Sequence, residues 1–245
     1  MSFQPSLEAS ECGGVHLLHD PAARAAGVLV AFSDRRGGAS APPYDSLNLS
    51  AKTGDDPARV EENRRRVAAA AGFEASTAVY ARQVHGADVV EARPGDSGTI
   101  GRCDGFVARG PGVTLTIMTA DCTPVLVWGD DGVVALHSGW RGLVAGVLER
   151  GLEILGTPRA AWIGPAIRAC CYEVGPEVLD AFRARDLPVA DERHVDPSRG
   201  AEAVLRRAGV ERIARAEGCT SCSPHLFSYR RDGVTGRQGA FAALL

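Results

Sequence analysis

The stretch TLTIMTADCTPVLVWGDDGVVALHSGWRGLVAGVLERGLEIL, residues 114–155, holds three short apolar runs followed by an amphipathic helical pattern. The runs at residues 114–118, 125–128 and 133–137 are rich in β-branched side chains and are separated by glycine and aspartate, which predicts three strands. Apolar side chains recur at helical spacing over residues 143–155, and a glycine and a proline just beyond them predict the end of the helix. Strands followed by an amphipathic helix indicate helices packed on a sheet.

The same reasoning extends to both sides of this stretch. Further strands are predicted at residues 27–32, 89–90, 161–163 and 226–229. Further helices are predicted at residues 57–72, 176–183 and 201–208, the first with Asp56 as its cap and Pro57 at its first position. These elements define an α+β fold in which helices cover a sheet or a pair of sheets. Neither a repeat nor a linker is visible, so we expect one domain over residues 1–245, with residues 1–26 as a variable leader.

The composition excludes several classes of function. Of the 245 residues, 45% are hydrophobic and 23% are charged, which is typical of a globular domain. The net charge of -3 provides no positive field for nucleic acid or an anionic membrane. No segment approaches the roughly 20 apolar residues of a membrane span, and no export signal is visible. We therefore expect a cytoplasmic protein with a small-molecule partner, either a monomer or a homodimer.

Three residues of the kind that bind zinc occupy similar positions in the chain. His85 and His137 lie where predicted strands meet glycine, and Cys122 follows the run that ends at Met118. Two histidines and one cysteine are an accepted ligand set for a catalytic zinc, which keeps a fourth position open for water or substrate. Two other interpretations stay open from these residues alone. They can be packed core side chains, or Cys122 can form a metal-free thiolate–imidazole pair with one of the histidines.

A series of short motifs gives the chain a family resemblance. The motifs are RQVHG at 82–86, DG at 104–105, TADCTP at 119–124, HSGWRG at 137–142, and also PYDSLNL at 43–49, GDDP at 54–57, ENR at 62–64, IGP at 163–165 and FSYRRDG at 227–233. In their order along the chain, and from Ala31 to the C-terminus, these motifs resemble those of the laccase-domain, or multicopper-polyphenol-oxidase-like, family. One departure is Asp34, where the family often has threonine, and this affects the charge of one loop.

The resemblance implies a fold, a metal and a chemistry. The implied fold is a four-layer α/β/β/α sandwich, and the implied ligands of zinc are His85, Cys122 and His137. The family is associated with phosphorolysis of adenosine, inosine and methylthioadenosine and with deamination of adenosine, so the expected partners are purine nucleosides and phosphate. Its older names record a copper-dependent phenol oxidase, and bacterial relatives are also called peptidoglycan editing factors.

Five further residues are candidates for these activities. Arg35 and Arg141 are candidates for phosphate, because a guanidinium group binds two phosphate oxygens at once. Asn48 and Gln83 can bind ribose hydroxyls or the purine edge, unless they only cap turns. Nucleobase deaminases of another class place a glutamate beside the metal as a proton shuttle. No glutamate flanks the three ligands here, and Asp121 is the possible substitute.

Other functions are open alternatives. A cysteine amidase or editing hydrolase acting on a peptidoglycan precursor would use the same cysteine and histidines, and a nucleoside-binding module would use the site without turnover. Copper is the less favoured metal, because a blue-copper site also uses a weak axial ligand such as methionine. Met118 is the only internal methionine of the chain. Six histidines in the whole chain are also too few for a cluster of several copper ions.

The remaining cysteines offer a weaker signal. Cys219 and Cys222 form a C-x-x-C pair that can bind a second zinc or form a disulfide. Cys170 and Cys171 are adjacent in the sequence, and adjacent residues do not easily complete a tetrahedral site. Packed thiols or an occasional disulfide are therefore the favoured interpretation.

Overall fold

The structure is a computed structural model that describes residues 3–245. The strands in this part of the chain are β1 (Glu8–Cys12), β2 (Val15–His19), β3 (Val28–Ser33), β4 (Ala78–Ala81), β5 (Val89–Glu91), β6 (Gly98–Gly101), β7 (Gly105–Ala108), β8 (Thr114–Thr119), β9 (Thr123–Gly129), β10 (Gly132–Ser138), β11 (Pro158–Ile163), β12 (Ile213–Arg215) and β13 (Gln238–Leu244). The helices are α1 (Pro21–Ala25), α2 (Pro57–Ala71), α3 (Trp140–Ala145), α4 (Val147–Leu155), α5 (Pro176–Ala184), α6 (Pro197–Arg207) and α7 (Tyr229–Asp232).

The strands form two mixed sheets. The first sheet has seven strands in the order β1-β2-β3-β13-β8-β4-β6, and the second has six in the order β12-β11-β9-β10-β7-β5. In the first sheet β4 runs parallel to β8, with Ala78 opposite Thr114. In the second sheet β9 and β10 are antiparallel, and His137 lies opposite Pro124. The chain passes from the first sheet to the second between β8 and β9.

Three groups of buried apolar side chains hold four layers together. Side chains of α2 pack on the outer face of the first sheet, around Phe241 and Leu29. The inner faces of the two sheets meet around Trp162, Phe32 and Phe106. The outer face of the second sheet packs against α3, α4, α5 and α6. The α+β assignment and the four-layer α/β/β/α sandwich are thus confirmed.

The leader of residues 1–26 contributes strands where it is described. β1 and β2 extend the first sheet beyond β3, with Leu17 opposite Ser33. Asp20 then caps α1 and accepts a hydrogen bond from the indole of Trp162 at 2.8 Å. Among residues 3–245, no helix has the length and apolar character that crossing a bilayer requires.

Most predicted elements are present, and two boundaries differ for a clear reason. The single helix predicted for residues 143–155 is two helices, α3 and α4, because Gly146 between them adopts a left-handed φ of 89°. The helix predicted for residues 201–208 begins at Pro197, because Asp196 accepts hydrogen bonds from the amides of Ser198 and Arg199.

The strand predicted for residues 226–229 is wrong. Phe227 in this segment is buried, but its backbone amide and carbonyl pair with the side-chain amide of Gln238 instead of a neighbouring strand. Ser228 then accepts a hydrogen bond from the amide of Arg231 and starts α7. The cap overrides the apolar pattern of this segment.

Candidate active site

The ends of parallel strands bring the first two candidate ligands together. His85 follows β4 and Cys122 follows β8, and the carboxyl ends of these neighbouring parallel strands lie at one edge of the first sheet. His137 belongs to β10 of the second sheet and lies opposite Pro124, two residues after Cys122. The crossover between the sheets therefore places all three residues at one point.

The geometry of the three side chains fits a metal ion. Their ligand atoms lie within 4.8 Å of one another. The sulfur of Cys122 is 3.8 Å from Nε2 of His85. Zinc bonds of about 2.3 Å to sulfur and about 2.0–2.1 Å to nitrogen in tetrahedral geometry would require a separation of about 3.6 Å. The imidazole rings of His85 and His137 meet edge to face with centroids 4.8 Å apart.

Asp104, directly before β7, organises this centre. Its carboxylate accepts hydrogen bonds from the backbone amides of His85 and Gly86, at 2.9 and 2.7 Å, and also bonds the amide of Val84. The same carboxylate pairs with Nδ1 of His137 at 2.8 Å, which leaves Nε2 of that ring for a ligand bond. One buried carboxylate thus orients one ligand directly and fixes the loop that carries another.

Gly139 allows the ligands to approach each other. A Cβ atom at this position would lie 2.9 Å from Cδ2 of His85 and 3.0 Å from the sulfur of Cys122. Both distances are shorter than ordinary van der Waals contact, so a side chain here would displace the ligand atoms. Steric crowding by the ligands therefore explains why the first glycine of the HSGWRG motif, Gly139, carries no side chain.

The electrostatics of the centre favour a thiolate. Burial raises the pKa of Cys122, but the positive charge of His137 and hydrogen bonds from both imidazoles outweigh burial and lower this pKa to about 6. Burial lowers the pKa of His137, whereas the Cys122 thiolate and the hydrogen bond to Asp104 raise it to about 9. A thiolate is the form of cysteine that binds a metal or attacks an electrophile.

The centre opens into a cleft of about 640 Å³ with strongly cationic walls. Five basic side chains line this cleft: Lys52, Arg82, Arg141, Arg230 and Arg237. Within residues 3–245, none of the five has a carboxylate oxygen within 4.0 Å. Asp121 is the one acidic lining residue in the described part of the chain. The cleft therefore concentrates positive charge that its own residues do not neutralise.

Aromatic side chains form another part of the same wall. Trp140, Tyr172 and Tyr229 line the cleft. The guanidinium of Arg141 lies over the ring of Trp140, 4.4 Å from its centroid, and that of Arg230 lies over Tyr172 at 4.9 Å. Cationic groups stacked on aromatic faces are held in place without a carboxylate partner.

Three of the predicted substrate and proton-transfer residues line the cleft. Arg141 does so with its guanidinium stacked on the neighbouring indole. Gln83 exchanges both hydrogen bonds of its side-chain amide with the backbone of Met118, at 2.8 and 3.0 Å. Asp121 accepts hydrogen bonds from the hydroxyl of Thr220 at 2.6 Å and from the amide of Arg230 at 2.7 Å. Gln83 and Asp121 thus border the cleft with side chains that already have partners.

The other two predicted substrate residues lie outside the lining of the cleft. Asn48 is fully buried, and its side-chain amide bonds Thr53, Asp55 and the backbone amide of Arg237. Arg35 donates to the carbonyl of Asp45 and forms an ion pair with its carboxylate at 3.1 Å. In this structure both side chains hold neighbouring loops through these bonds, and their assignment to substrate stays a prediction.

Sequence reasoning also missed residues at the site. In the sequence Asp104 belongs to the short DG motif, and its position directly before a buried strand is the one signal of its role. Arg230 and Arg237 come from the C-terminal segment, and both face the cleft. Burial lowers the pKa of Arg237, although nearby Cys122 and Asp121 oppose this effect.

The four-layer sandwich and the cationic cleft, with two histidines and one cysteine that could hold a metal ion, are typical of an enzyme. The family model described as multi-copper polyphenol oxidoreductase laccase matches residues 29–245, and the chain belongs to this family. The chain is 43% identical over 232 residues to purine nucleoside phosphorylase YfiH of Escherichia coli strain K12, covering 89% of this chain and 95% of the relative. It is 42% identical over 234 residues to purine nucleoside phosphorylase SCO2081 of Streptomyces coelicolor, covering 89% and 96%.

A solved structure has the same fold. The crystal structure of YlmD from Geobacillus stearothermophilus superposes with a TM-score of 0.86 at 32% identity, covering 96% of this chain and 97% of the other. The similarity therefore extends over almost the whole length of both chains.

Proposed function

We propose that this chain is a zinc-dependent purine nucleoside phosphorylase that acts on adenosine, inosine and methylthioadenosine and that also deaminates adenosine. The observation that carries the proposal is the junction, in one cleft, of the His85–Cys122–His137 centre with five cationic side chains that lack carboxylate partners. The names of the relatives in Escherichia coli and Streptomyces support the same activity.

The cationic wall gives phosphorolysis a physical basis. Phosphorolysis requires inorganic phosphate near C1' of the ribose, where a phosphate oxygen forms the new bond while the bond from C1' to the base breaks. The electron pair of that bond leaves with the base, which takes up a proton. Arg141 and Arg230 are the groups proposed to bind phosphate, because guanidinium groups without a carboxylate partner can offer paired donors to its oxygens.

The aromatic wall suits the purine. Trp140, Tyr172 and Tyr229 offer ring faces and apolar surface beside the cationic groups. Planar bases stack on such faces, with a contribution of about 1–3 kcal/mol per base. The base is therefore expected to pack against these side chains while the phosphate binds the guanidinium groups.

His85, Cys122 and His137 would hold the zinc ion, and Asp104 would keep the ring of His137 and the backbone at His85 in place. When bound, zinc supplies a Lewis acid with one position open to water or substrate. For deamination, Asp121 is the acidic residue available at the cleft. Because both of its oxygens already accept hydrogen bonds, proton transfer through Asp121 requires one of those bonds to open.

The test is turnover by purified, zinc-loaded protein with each nucleoside in the presence and absence of phosphate. Chromatography is expected to detect base and ribose 1-phosphate only when phosphate is present, and inosine from adenosine in either case. Zinc-loaded protein that produces none of these products would overturn the proposal. The variant C122A removes a ligand and is expected to abolish both activities, while C12S changes an exposed thiol remote from the ligand set and serves as the control.

A second candidate is a cysteine amidase or editing hydrolase acting on a peptidoglycan precursor. It is favoured by the lowered pKa of Cys122 and by the paired imidazole and carboxylate of His137 and Asp104, which resemble an activated nucleophile with an oriented base. Metal analysis separates the two candidates. Stoichiometric zinc that is lost in C122A supports the phosphorylase, whereas metal-free, active protein with a rapidly alkylated Cys122 supports the hydrolase.

The copper-dependent phenol oxidase is the third candidate, and the cleft offers it little. His85 and His137 are the only histidines among the described residues that line the cleft. Oxidation by several copper ions requires many more imidazole ligands than two. Zinc is therefore the proposed metal, and copper-loaded protein is expected to oxidise no phenol.

A further inference from the structure

A second group of thiols lies outside the ligand set described above. The sulfur atoms of Cys170, Cys171, Cys219 and Cys222 lie within 4.8 Å of one another, and all four cysteines are free. The sulfur of Cys222 is 3.7 Å from that of Cys170 and 3.3 Å from that of Cys171. We propose that these four cysteines bind a second zinc ion, which is structural and independent of the catalytic centre.

The distances fit this metal. Zinc–sulfur bonds of about 2.3 Å in a tetrahedral site place the sulfur atoms about 3.8 Å apart. The separation of Cys222 from Cys170 is close to this value, that from Cys171 is shorter, and both are well above the roughly 2.05 Å of a disulfide bond. Four cysteine sulfurs around one point are typical of a structural zinc site, which is closed because no position is left for substrate.

The backbone explains how adjacent cysteines can both contribute. The amides of Cys171 and Tyr172 both donate to the carbonyl of Arg168, at 3.0 and 2.9 Å, which closes a tight turn. This turn brings the sulfurs of Cys170 and Cys171 to the same partner, Cys222. Adjacent cysteines do not easily complete a tetrahedral site, and this turn is the local structure that brings the two thiols together with the C-x-x-C pair.

The surroundings also suit a metal thiolate centre. The amide of Arg168 donates to the sulfur of Cys219 at 3.3 Å, the kind of hydrogen bond that stabilises a ligand thiolate. Zinc bound by four thiolates carries a net charge of about -2. The guanidinium of Arg168 donates to the carbonyl of Gly218, and that of Arg231 donates to the carbonyls of Thr220 and Ser223. Two guanidinium groups, which also pair with Asp196 and Asp232, therefore hold the turn that carries the ligands.

The position of the cluster indicates what the metal would stabilise. Cys170 and Cys171 precede α5, and Cys219 and Cys222 lie between β12 and α7. The neighbour of the first pair, Tyr172, lines the cleft, and a neighbour of the second pair, Thr220, donates to Asp121 at 2.6 Å. Zinc would thus join two loops that border the cleft. On binding, the ion displaces the four thiol protons to solvent and no electrons are transferred.

The test is the zinc content of the purified full-length protein, prepared under reducing conditions and measured by elemental analysis. The expected result is two zinc ions per chain in the wild type and in the control C12S. The expected result is one zinc ion in C122A and one in the double variant C170S/C222S, whose replaced cysteines are exposed. The zinc that C122A retains and C170S/C222S loses measures this cluster alone, so that comparison holds whether or not the proposed function and its catalytic zinc fail.

A spectroscopic measurement covers the case in which the double variant does not fold. Cobalt-substituted C122A is expected to display the intense visible bands and thiolate-to-metal charge transfer of a tetrahedral tetrathiolate site. One zinc ion per wild-type chain that disappears entirely in C122A would overturn the proposal. Iron bound at the four cysteines, or a disulfide between Cys171 and Cys222 in the reduced preparation, would overturn it as well.

Discussion

The substitution D104N tests the role of the buried carboxylate that joins the two histidine ligands. Asparagine has the same shape, but its NH2 group replaces the oxygen that accepts from Gly86 at 2.7 Å. The amide of Gly86 then loses its acceptor, which costs about 1–3 kcal/mol for a buried donor. The hydrogen bonds from His85 and His137 become bonds to a neutral oxygen and weaken by about 1 kcal/mol together. The free energy of unfolding is therefore expected to fall by about 2–4 kcal/mol.

The affinity for metal should fall as well, because His137 loses the charged partner that orients its ring. Loss of such a partner typically weakens metal binding by about 10- to 100-fold. Denaturant unfolding of metal-free protein gives the first quantity, and competition with a chromophoric chelator gives the second. D88N, at an exposed aspartate directly before β5, serves as the matched surface control.

The pH dependence provides a further check on the same variant. Burial opposes ionisation of Asp104, but hydrogen bonds from His137 and Gly86 hold its pKa below the usual value. A carboxylate with a lowered pKa stabilises the fold above its ordinary pKa of about 4, and this stabilisation is lost as the pH falls through the lowered value. The stability difference between wild type and D104N should therefore shrink in acid. Unfolding and chelator competition of D104N that match those of D88N at neutral pH would show that the Asp104 carboxylate does not have this role.

Three further predictions concern the same cleft. R141A should raise the KM for phosphate by about 10- to 100-fold, the loss of a charged hydrogen bond worth about 1.5–3 kcal/mol, while R150A at an exposed helix position leaves it unchanged in steady-state assays. G139A, whose new Cβ would lie 2.9 Å from Cδ2 of His85, should weaken zinc binding about 10- to 100-fold in chelator competition, whereas G110A, with open space at its Cβ, should not. In metal-free protein, alkylation of Cys122 followed by peptide mass spectrometry should be half-maximal near pH 6, because thiolate is present above that pH. A midpoint near the ordinary thiol value of about 8.5 would contradict the electrostatic description of the centre.

The fold could be predicted where periodicity is strong. The strands within residues 114–137 and the helix that begins at Pro57 follow from β-branched runs and from a capped amphipathic pattern. The sequence of β13, QGAFAAL, is rich in alanine, which has low strand propensity, so its place between β3 and β8 depends on tertiary packing. The order of the strands in two sheets could not be derived for the same reason.

The site could be predicted in its ligand types but not in its supporting groups. His85, Cys122 and His137 are recognisable because few side chains bind a soft or borderline metal and because each lies near a strand end. Asp104 acts largely through backbone amides, which no spacing of residue types reveals. The side-chain amide of Asn48 is of a type that can bind a substrate. Its partner, the backbone amide of Arg237, lies 189 residues away, and only the folded chain brings the two together.

The activity proposed for this cleft is the transfer of a ribosyl group from a purine to phosphate. Inosine is the most direct substrate for the test, because it has no amino group to lose and deamination cannot contribute. Phosphorus NMR of zinc-loaded protein with inosine and inorganic phosphate should detect ribose 1-phosphate in a one-to-one ratio with hypoxanthine, and neither product with C122A. Hypoxanthine released without consumption of phosphate, or product formation that C122A retains, would contradict the account.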